Sequence, residues 1–201
     1  MNNCLILDGK EVAQTSSESL IARIKKLNNY GRAPKLVAIL VGDDPASATY
    51  VTMKERACHS LGIETEIKRL TKDTSTTELQ QLIKDLNNDQ TVDGILLQHP
   101  VPKQIDEIKC FNTICIEKDV DGVTTEGFGN MAMGLSAFGS CTPLGIMRIL
   151  DHYKIDLEGM NALVIGRSQI LGKPMAAMLL NANATVTIAH SKTKNLKNSL
   201  K

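Results

Sequence analysis

The sequence has almost no surplus of charge of either sign. It contains 23 lysines and arginines against 22 aspartates and glutamates in a chain of 201 residues. Such a balance gives no broad electrostatic field that would attract nucleic acid or an anionic membrane. Neither is therefore predicted as a partner, although 42% hydrophobic residues are enough to bury a sizeable core.

The sequence also has no long apolar segment. Its longest uninterrupted apolar run covers residues 36–41, whereas a membrane-spanning helix needs about 20 residues. Charged side chains such as Asp8, Lys10 and Glu18 interrupt the amino-terminal stretch, where a signal peptide would need an apolar core. We expect a soluble, cytoplasmic protein that has no contact with a membrane.

Motifs for disulfides and metal ions are missing as well. The five cysteines are an odd number without CxxC spacing, which predicts reduced and mostly buried thiols in a chain with no secretory signal. The four histidines form no HxxxH pair. No metal site is predicted, and zinc least of all.

Strand and helix patterns alternate along the chain, and apolar runs of strand length suit strands that are covered on both faces. The predicted strands cover residues 36–42, 64–70, 94–98, 162–165 and 185–189. The predicted helices cover residues 20–27, 46–61, 76–86, 142–153 and 172–181, with Ser16 or Ser17, Thr76 and Thr142 as caps of the first, third and fourth. This order predicts an α/β fold with largely parallel sheets. A glycine-punctuated, loop-like passage up to Ser140 predicts two domains, residues 1–141 and 142–201.

Three polar side chains, Ser47, Tyr50 and Lys54, lie on one face of the second predicted helix because of their helical spacing. This helix begins just beyond the carboxyl end of a predicted strand, where open α/β sheets place their ligands. A partly dehydrated lysine favours its neutral amine and suits a general base. The alternative is a solvated lysine with a tyrosine packed on its stem.

The third predicted strand ends at another polar side chain, Gln98, at the same edge of the sheet as Lys54. An amide at this place can orient the lysine and adjust its affinity for a proton. Pro100 and Pro102 are expected to hold the following loop extended. The alternative is a polar residue that merely closes a strand.

The segment KDVDG, residues 118–122, places two carboxylates on either side of one valine, before a glycine turn. Asp119 and Asp121 can accept hydrogen bonds from the N–H groups of a pterin-like heterocycle, or hold a cation. A plain Asx turn is the commoner explanation of such a string. Both interpretations stay open at this point.

A fourth segment, GRSQILGKP, begins at Gly166 between a predicted strand and a predicted helix. Gly166 and Gly172 let the backbone approach a phosphate, and Arg167 and Ser168 can bind its oxygens. The next strand ends in HSKT, with Ser191 and without a carboxylate for the ribose hydroxyls, which favours NADP over NAD. The alternative is a helix-capping turn and a solvated basic tail.

Six segments in one order resemble the methylenetetrahydrofolate dehydrogenase/methenyltetrahydrofolate cyclohydrolase family. They are DPASATYVTMK (44–54), DGILLQHPVP (93–102), KDVDG (118–122), CTPLG (141–145), GRSQILGKP (166–174) and HSKT (190–193). Each motif is weak alone, but their shared order over nearly the whole chain is specific. The resemblance implies a folate-binding and catalytic domain over residues 1–141, followed by a Rossmann-type NADP-binding domain.

The resemblance also implies an activity and a site. The activity is oxidation of 5,10-methylenetetrahydrofolate with NADP, followed by hydrolysis of the methenyl product to 10-formyltetrahydrofolate, in an enzyme that is typically a homodimer. The implied catalytic residues are Lys54, Tyr50, Gln98 and Asp121. The implied folate-binding residues are Ser47, Tyr50, Gln98, Pro100 and Asp121. The implied NADP-binding residues are Gly166, Arg167, Ser168, Gly172 and Ser191.

Three departures from the family pattern bear on these expectations. His99 stands where the family more often has leucine, and Ser140 stands where a proline usually precedes the CTP segment. The family continues its nucleotide domain with further βα units, which this sequence lacks. The sequence therefore predicts a carboxyl-terminally truncated, incomplete NADP-binding domain of low stability or with a tendency to self-associate. A catalytically silent folate-binding product is the alternative to an active enzyme, and an unrelated NADP dehydrogenase is a third hypothesis.

Overall fold

The structure is a computed structural model that describes residues 4–29 and 31–196. Its contacts divide the chain into two compact units. The amino-terminal unit covers residues 16–126, and the carboxyl-terminal unit joins the described part of residues 1–15 to that of residues 127–201. The α/β class with parallel sheets is confirmed, whereas the predicted domain boundary stays a prediction.

All five predicted strands and all five predicted helices are present, and two further short helices follow the third strand. The strands are β1 (Lys35–Val41), β2 (Glu64–Leu70), β3 (Gly94–Leu97), β4 (Asn161–Ile165) and β5 (Thr185–Ala189). The helices are α1 (Gly9–Asn28), α2 (Pro45–Leu61), α3 (Thr76–Asn88), α4 (Glu107–Phe111), α5 (Thr125–Ala132), α6 (Cys141–His152) and α7 (Gly172–Asn181), with a 3-10 turn at Ile116–Lys118. In the part of the chain described, no helix is long and apolar enough to cross a membrane.

The amino-terminal unit is built on a parallel sheet of order β2-β1-β3. Alternate residues of β1 enter two different cores. Val37 and Ile39 pack with Leu79 of α3, while Ala38 packs with Val51 of α2. Because β1 is buried on both faces, it reads as a continuous apolar run.

The carboxyl-terminal unit contains the parallel pair β4 and β5. Helix α7 covers one side of this pair through Met175, which packs in one cluster with Val164 of β4. On the strands themselves, Ile165 and Ile188 are 61% and 47% exposed. These side chains give the strand pair an apolar surface, and the self-association expected from it stays a prediction.

Helix starts are where the sequence-based bounds fail. The first helix begins at Gly9 rather than near residue 20, because Asp8 accepts a hydrogen bond from Lys10 N at 2.8 Å and satisfies an orphan amide of the first turn. Ser16 and Ser17 therefore lie inside α1 and do not cap it.

The caps of α3 and α6 lie one and two residues before the predicted ones. Ser75, not Thr76, caps α3 in a capping box with Glu78. Helix α6 begins at Cys141, so the predicted cap Thr142 is its second residue. Pro143 fits in this first turn because an N–H at that position would have no partner within the helix.

The passage after Pro102 is more regular than the predicted loop. Helix α4 begins after Asp106, whose carboxylate accepts a hydrogen bond from Lys109 N at 3.1 Å.

The prediction of mostly buried cysteines is wrong: of the five free thiols only Cys110 is buried, and burial raises its pKa to about 11. Cys4 and Cys141 are exposed, and the other two are partly buried.

Candidate functional site

Lys54 and Gln98 meet at the carboxyl edge of the amino-terminal sheet. Gln98 N donates a hydrogen bond to Ile39 O at 2.9 Å, which fixes the end of β3 against β1. Lys54 Nζ, on α2, donates to Gln98 Oε1 at 3.3 Å. The strand-end geometry therefore brings a lysine amine and a side-chain amide into direct contact, as the sequence indicates.

The polar face of α2 grades from buried to exposed. Ser47 is 3% exposed, and its N–H donates to Asp44 Oδ2 at 2.7 Å. Hydrogen bonds from the backbone and side chain of Ser47 hold the pKa of Asp44 below its ordinary value. These contacts of Ser47 belong to the helix cap, whereas Tyr50 is 60% exposed and offers an uncovered ring that can pack against a flat ligand.

The loop after Gln98 is held by Glu107, a residue that no sequence motif indicates. Glu107 Oε1 lies 2.7 Å from His99 Nδ1 and accepts a hydrogen bond from Val101 N at 3.3 Å. Pro100 lies exposed between these two contacts, after a cis peptide bond. Glu107 had no local signal, because it lies in a stretch that the sequence predicts to be irregular.

In KDVDG, two of the three charged residues have structural roles. Lys118 Nζ donates to three carbonyl oxygens at the end of α3, at 2.7–2.9 Å, those of Leu86, Asn87 and Asp89. Asp119 is 1% exposed, and its carboxylate accepts hydrogen bonds from Val123 N and Thr124 N at 3.0 and 2.9 Å. Asp119 therefore has a structural role, but not that of a plain Asx turn, because the amides it accepts from lie four and five residues further on rather than two.

Asp121 differs from its neighbours. It is only partly buried, and among the described residues none hydrogen bonds to its carboxylate. Its neighbour Val120 lies against Gly94 at the start of β3, whereas Gln98 follows the end of that strand. No hydrogen bond in the described chain joins Asp121 to Lys54, so its role toward a folate stays a prediction.

Replacing Asp119 by alanine is expected to destabilise the amino-terminal unit by about 2 kcal/mol or more, because two amides would lose their acceptor in a buried place. Urea unfolding followed by circular dichroism measures this. The matched control in the same pentapeptide is Asp121→Ala, for which the expected change is within about 0.5 kcal/mol. Equal losses in both variants would contradict this division of roles.

The turn between β4 and α7 has a backbone shape that requires glycine. Gly166 has φ +142° and nothing within 4 Å of the place where a Cβ would stand, so its backbone is open to a ligand. A Cβ on Gly172 would lie 2.5 Å from the carbonyl carbon and oxygen of Gly166. Gly166 N also donates to Ala189 O at 2.8 Å, which aligns the ends of β4 and β5.

The remaining predicted nucleotide-binding side chains lie at these two strand ends. Ser168 Oγ accepts a hydrogen bond from Gly172 N at 3.2 Å, and both Arg167 and Ser168 are exposed. Ser191 is exposed in a turn closed by a hydrogen bond from His190 N to Thr193 Oγ1 at 2.8 Å. The turn after β4 borders a cavity of about 450 Å³ that is otherwise lined mainly by apolar side chains of α6, β4 and α7.

A positively charged guanidinium, a hydroxyl and a close-packed glycine turn at a helix start fit the phosphates of a dinucleotide. The Gly172 contact supports this fit, because a Cβ there would lie 2.5 Å from the Gly166 carbonyl, so only glycine lets the turn pack this close to the start of α7. In the described part of the chain, no group of three or more His, Cys, Asp or Glu side chains could hold a metal ion.

Most of the chain matches two domains of one known family. Residues 7–121 match the family "Tetrahydrofolate dehydrogenase/cyclohydrolase, catalytic domain", and residues 140–201 match its "NAD(P)-binding domain". The chain is 57% identical over 193 residues to Bifunctional protein FolD of Alcanivorax borkumensis, an alignment that covers 95% of this chain and 69% of that protein.

Solved structures give the same result. The bifunctional enzyme FolD from Campylobacter jejuni superposes with a TM-score of 0.95 at 45% identity, over 96% of this chain and 69% of that one. The Trypanosoma brucei enzyme, solved with NADP and an inhibitor, superposes with a TM-score of 0.92 at 28% identity, over 99% and 68%. The chain therefore belongs to the tetrahydrofolate dehydrogenase/cyclohydrolase family.

Proposed function

We propose that this chain oxidises 5,10-methylenetetrahydrofolate with NADP and hydrolyses the methenyl product to 10-formyltetrahydrofolate. The observation that carries the proposal is the hydrogen bond between Lys54 Nζ and Gln98 Oε1 at the edge of a parallel sheet, in a chain of this family. Both side chains lie at the edge where α/β sheets bind ligands, which supports Lys54 as the base and Gln98 as its partner.

The hydrolytic step needs little beyond this pair. The methenyl carbon is electrophilic, so a water held near it can add once a base removes a proton. Lys54 is the proposed base, and Gln98 holds the amine in one direction. Tyr50 packs its exposed ring against the flat folate, and Asp121 accepts hydrogen bonds from the pterin N–H groups. The new C–O bond forms as the proton passes to Lys54. The bond from this carbon to N5 then breaks, the hydroxyl of the adduct loses its proton as N5 gains one, and the formyl group stays on N10.

When bound, NADP would supply the hydride acceptor for oxidation of the methylene carbon. The residues proposed to hold it are those of the turn after β4 and the end of β5. Arg167 and Ser168 are exposed and bind phosphate oxygens, Gly166 and Gly172 let the backbone come close, and Ser191 adds a hydroxyl. The absence of a carboxylate in HSKT favours the cofactor with a 2′-phosphate.

Two absorbance assays on the purified chain test this function. One follows the loss of methenyltetrahydrofolate at neutral pH, corrected for its spontaneous hydrolysis. The other follows reduction of NADP, and of NAD in parallel, in the presence of methylenetetrahydrofolate. We expect catalysed hydrolysis and a preference for NADP. Hydrolysis at the uncatalysed rate, with no reduction of either cofactor, would reject the proposal in favour of a silent folate-binding protein.

We also infer that the chain is a cytoplasmic homodimer, as its family resemblance implies. Among residues 4–29 and 31–196, strand β2 pairs with β1 alone and lies at the edge of its sheet, and such an edge can pair with a second copy. Sedimentation velocity at several concentrations is expected to show a species with twice the 21.9 kDa mass of one chain. A single monomeric species at all concentrations would contradict the inference.

A further inference from the structure

We propose that Glu107 and His99 are positioning residues that hold the Gln98 amide in the orientation that Lys54 needs. The inference rests on the function proposed above and extends it to two side chains outside the predicted site. Neither has to touch the substrate. Both act through the backbone of the loop that follows β3.

Glu107 contacts this loop at the residues on both sides of Pro100. Its Oε1 lies 2.7 Å from His99 Nδ1, and the same oxygen accepts from Val101 N at 3.3 Å. The carboxylate thus fixes one side chain before the proline and one amide after it.

Glu107 is itself well anchored, because it is the first residue of α4. The helix cap Asp106 donates its N–H to Thr76 Oγ1 at 2.9 Å, which ties α4 to the start of α3. Cys110 and Phe111 of α4 are buried in the same core as β1 and β3. The grip on the loop therefore comes from the packed part of the amino-terminal unit.

The backbone carbonyl of His99 connects the loop held by Glu107 to the side-chain amide of Gln98. Gln98 Nε2 donates to His99 O at 2.7 Å, while Gln98 Oε1 accepts from Lys54 Nζ at 3.3 Å. A side-chain amide has one acceptor end and one donor end. Binding of its NH₂ end to His99 O leaves the oxygen for the lysine, whereas a turned amide would point N–H donors at another donor.

The pair contributes little to folding by itself. The His99 side chain is 50% exposed, and polar contacts open to water contribute little to stability. Its loss is therefore expected to change turnover much more than folding. Small displacements of a reacting group are costly, since about 1 Å can reduce the rate about 100-fold.

The experiment compares Glu107→Ala, Glu107→Gln, Gln98→Ala and the double variant Gln98→Ala/Glu107→Ala in the methenyltetrahydrofolate hydrolysis assay. Glu107→Ala is expected to lower kcat about tenfold with little change in KM. Glu107→Gln is expected to keep most of the rate, because its amide oxygen can still accept from Val101 N. In the Gln98→Ala background, Glu107→Ala is expected to have no further effect, since its route passes through Gln98.

A spectroscopic reading separates this inference from the proposed function. The side-chain amide signals of Gln98 in a ¹H–¹⁵N spectrum, assigned by their loss in Gln98→Ala, are expected to shift in Glu107→Ala and to stay in place in Glu107→Gln. A parent chain without hydrolysis would reject the proposed function, and these signals would still decide the inference.

Three results would overturn the inference: unshifted signals in Glu107→Ala, a parental kcat in that variant, or a loss that multiplies fully with that of Gln98→Ala. Circular dichroism checks the fold of every variant. If Glu107→Ala does not fold, His99→Leu removes the contact between His99 and Glu107 and leaves the one with Val101 N, so a smaller shift of the Gln98 signals and a smaller loss of kcat are expected. Unshifted signals and a parental kcat in His99→Leu would then overturn the inference.

Discussion

Replacement of Lys54 by methionine is expected to lower the rate of methenyltetrahydrofolate hydrolysis by at least about 100-fold, the usual contribution of a general base. Methionine keeps an unbranched stem of similar length, so the packing of α2 on the sheet stays. What is lost is the amine that takes the proton and the donor that Gln98 Oε1 accepts at 3.3 Å. The measurement is the initial rate of absorbance loss at saturating substrate.

The matched control is Lys84→Met, which removes the same charge from an exposed position on α3 in the same unit. It is expected to leave the rate unchanged. If Lys54→Met hydrolyses the substrate as fast as the parent chain, the assignment of the base is wrong. If both variants lose activity equally, the effect comes from net charge and not from the site.

Replacement of Gly172 by alanine is expected to destabilise the carboxyl-terminal unit by about 2 kcal/mol or more and to abolish measurable NADP binding. The new Cβ would lie 2.5 Å from the Gly166 carbonyl and 2.6 Å from Arg167 N. These are backbone atoms, which cannot rotate away as a flexible side chain can. The turn must open, and Arg167 and Ser168 move with it. Guanidinium unfolding and calorimetric titration with NADP measure the two effects.

Gly145→Ala is the paired control for this substitution. Gly145 lies inside α6, in the same unit, with nothing within 4 Å of an added Cβ. The change is expected to stabilise the helix by up to about 1 kcal/mol, because alanine has a higher helix propensity than glycine. A Gly172→Ala protein with parental stability and cofactor affinity would show that the turn is not close-packed in solution.

Elements with a strong local signal are the part of the fold that the sequence predicts well. Strand β1 is a buried apolar run, and α2 has Asp44 before it and Gly62, with φ +83°, after it. Its end therefore follows from residues next to it in the chain. The contact of Lys54 with Gln98 was predictable for a similar reason, because parallel strands bring their carboxyl ends to one edge.

Features that depend on distant residues were not predictable in this way. Lys118 caps the end of α3 from about 30 positions further along the chain, and Asp106 N finds its acceptor on Thr76. Neither pairing has a local pattern. The pentapeptide KDVDG likewise does not tell which aspartate is needed for the turn, because that depends on which carboxylate the packed chain surrounds with N–H donors. Asp119 is the one so surrounded.

The position of the Lys54 amine also depends on the apolar packing of α2 against the sheet. One turn before it on α2, Val51 is 1% exposed and packs with Ala38 of β1 and Leu96 of β3. Because Val51 packs between α2 and the sheet, its volume sets the distance between α2 and β3, which Gln98 follows. A change of side-chain volume at Val51 is therefore a way to alter the rate without changing a polar residue. Mutations of charged residues alone would miss this position.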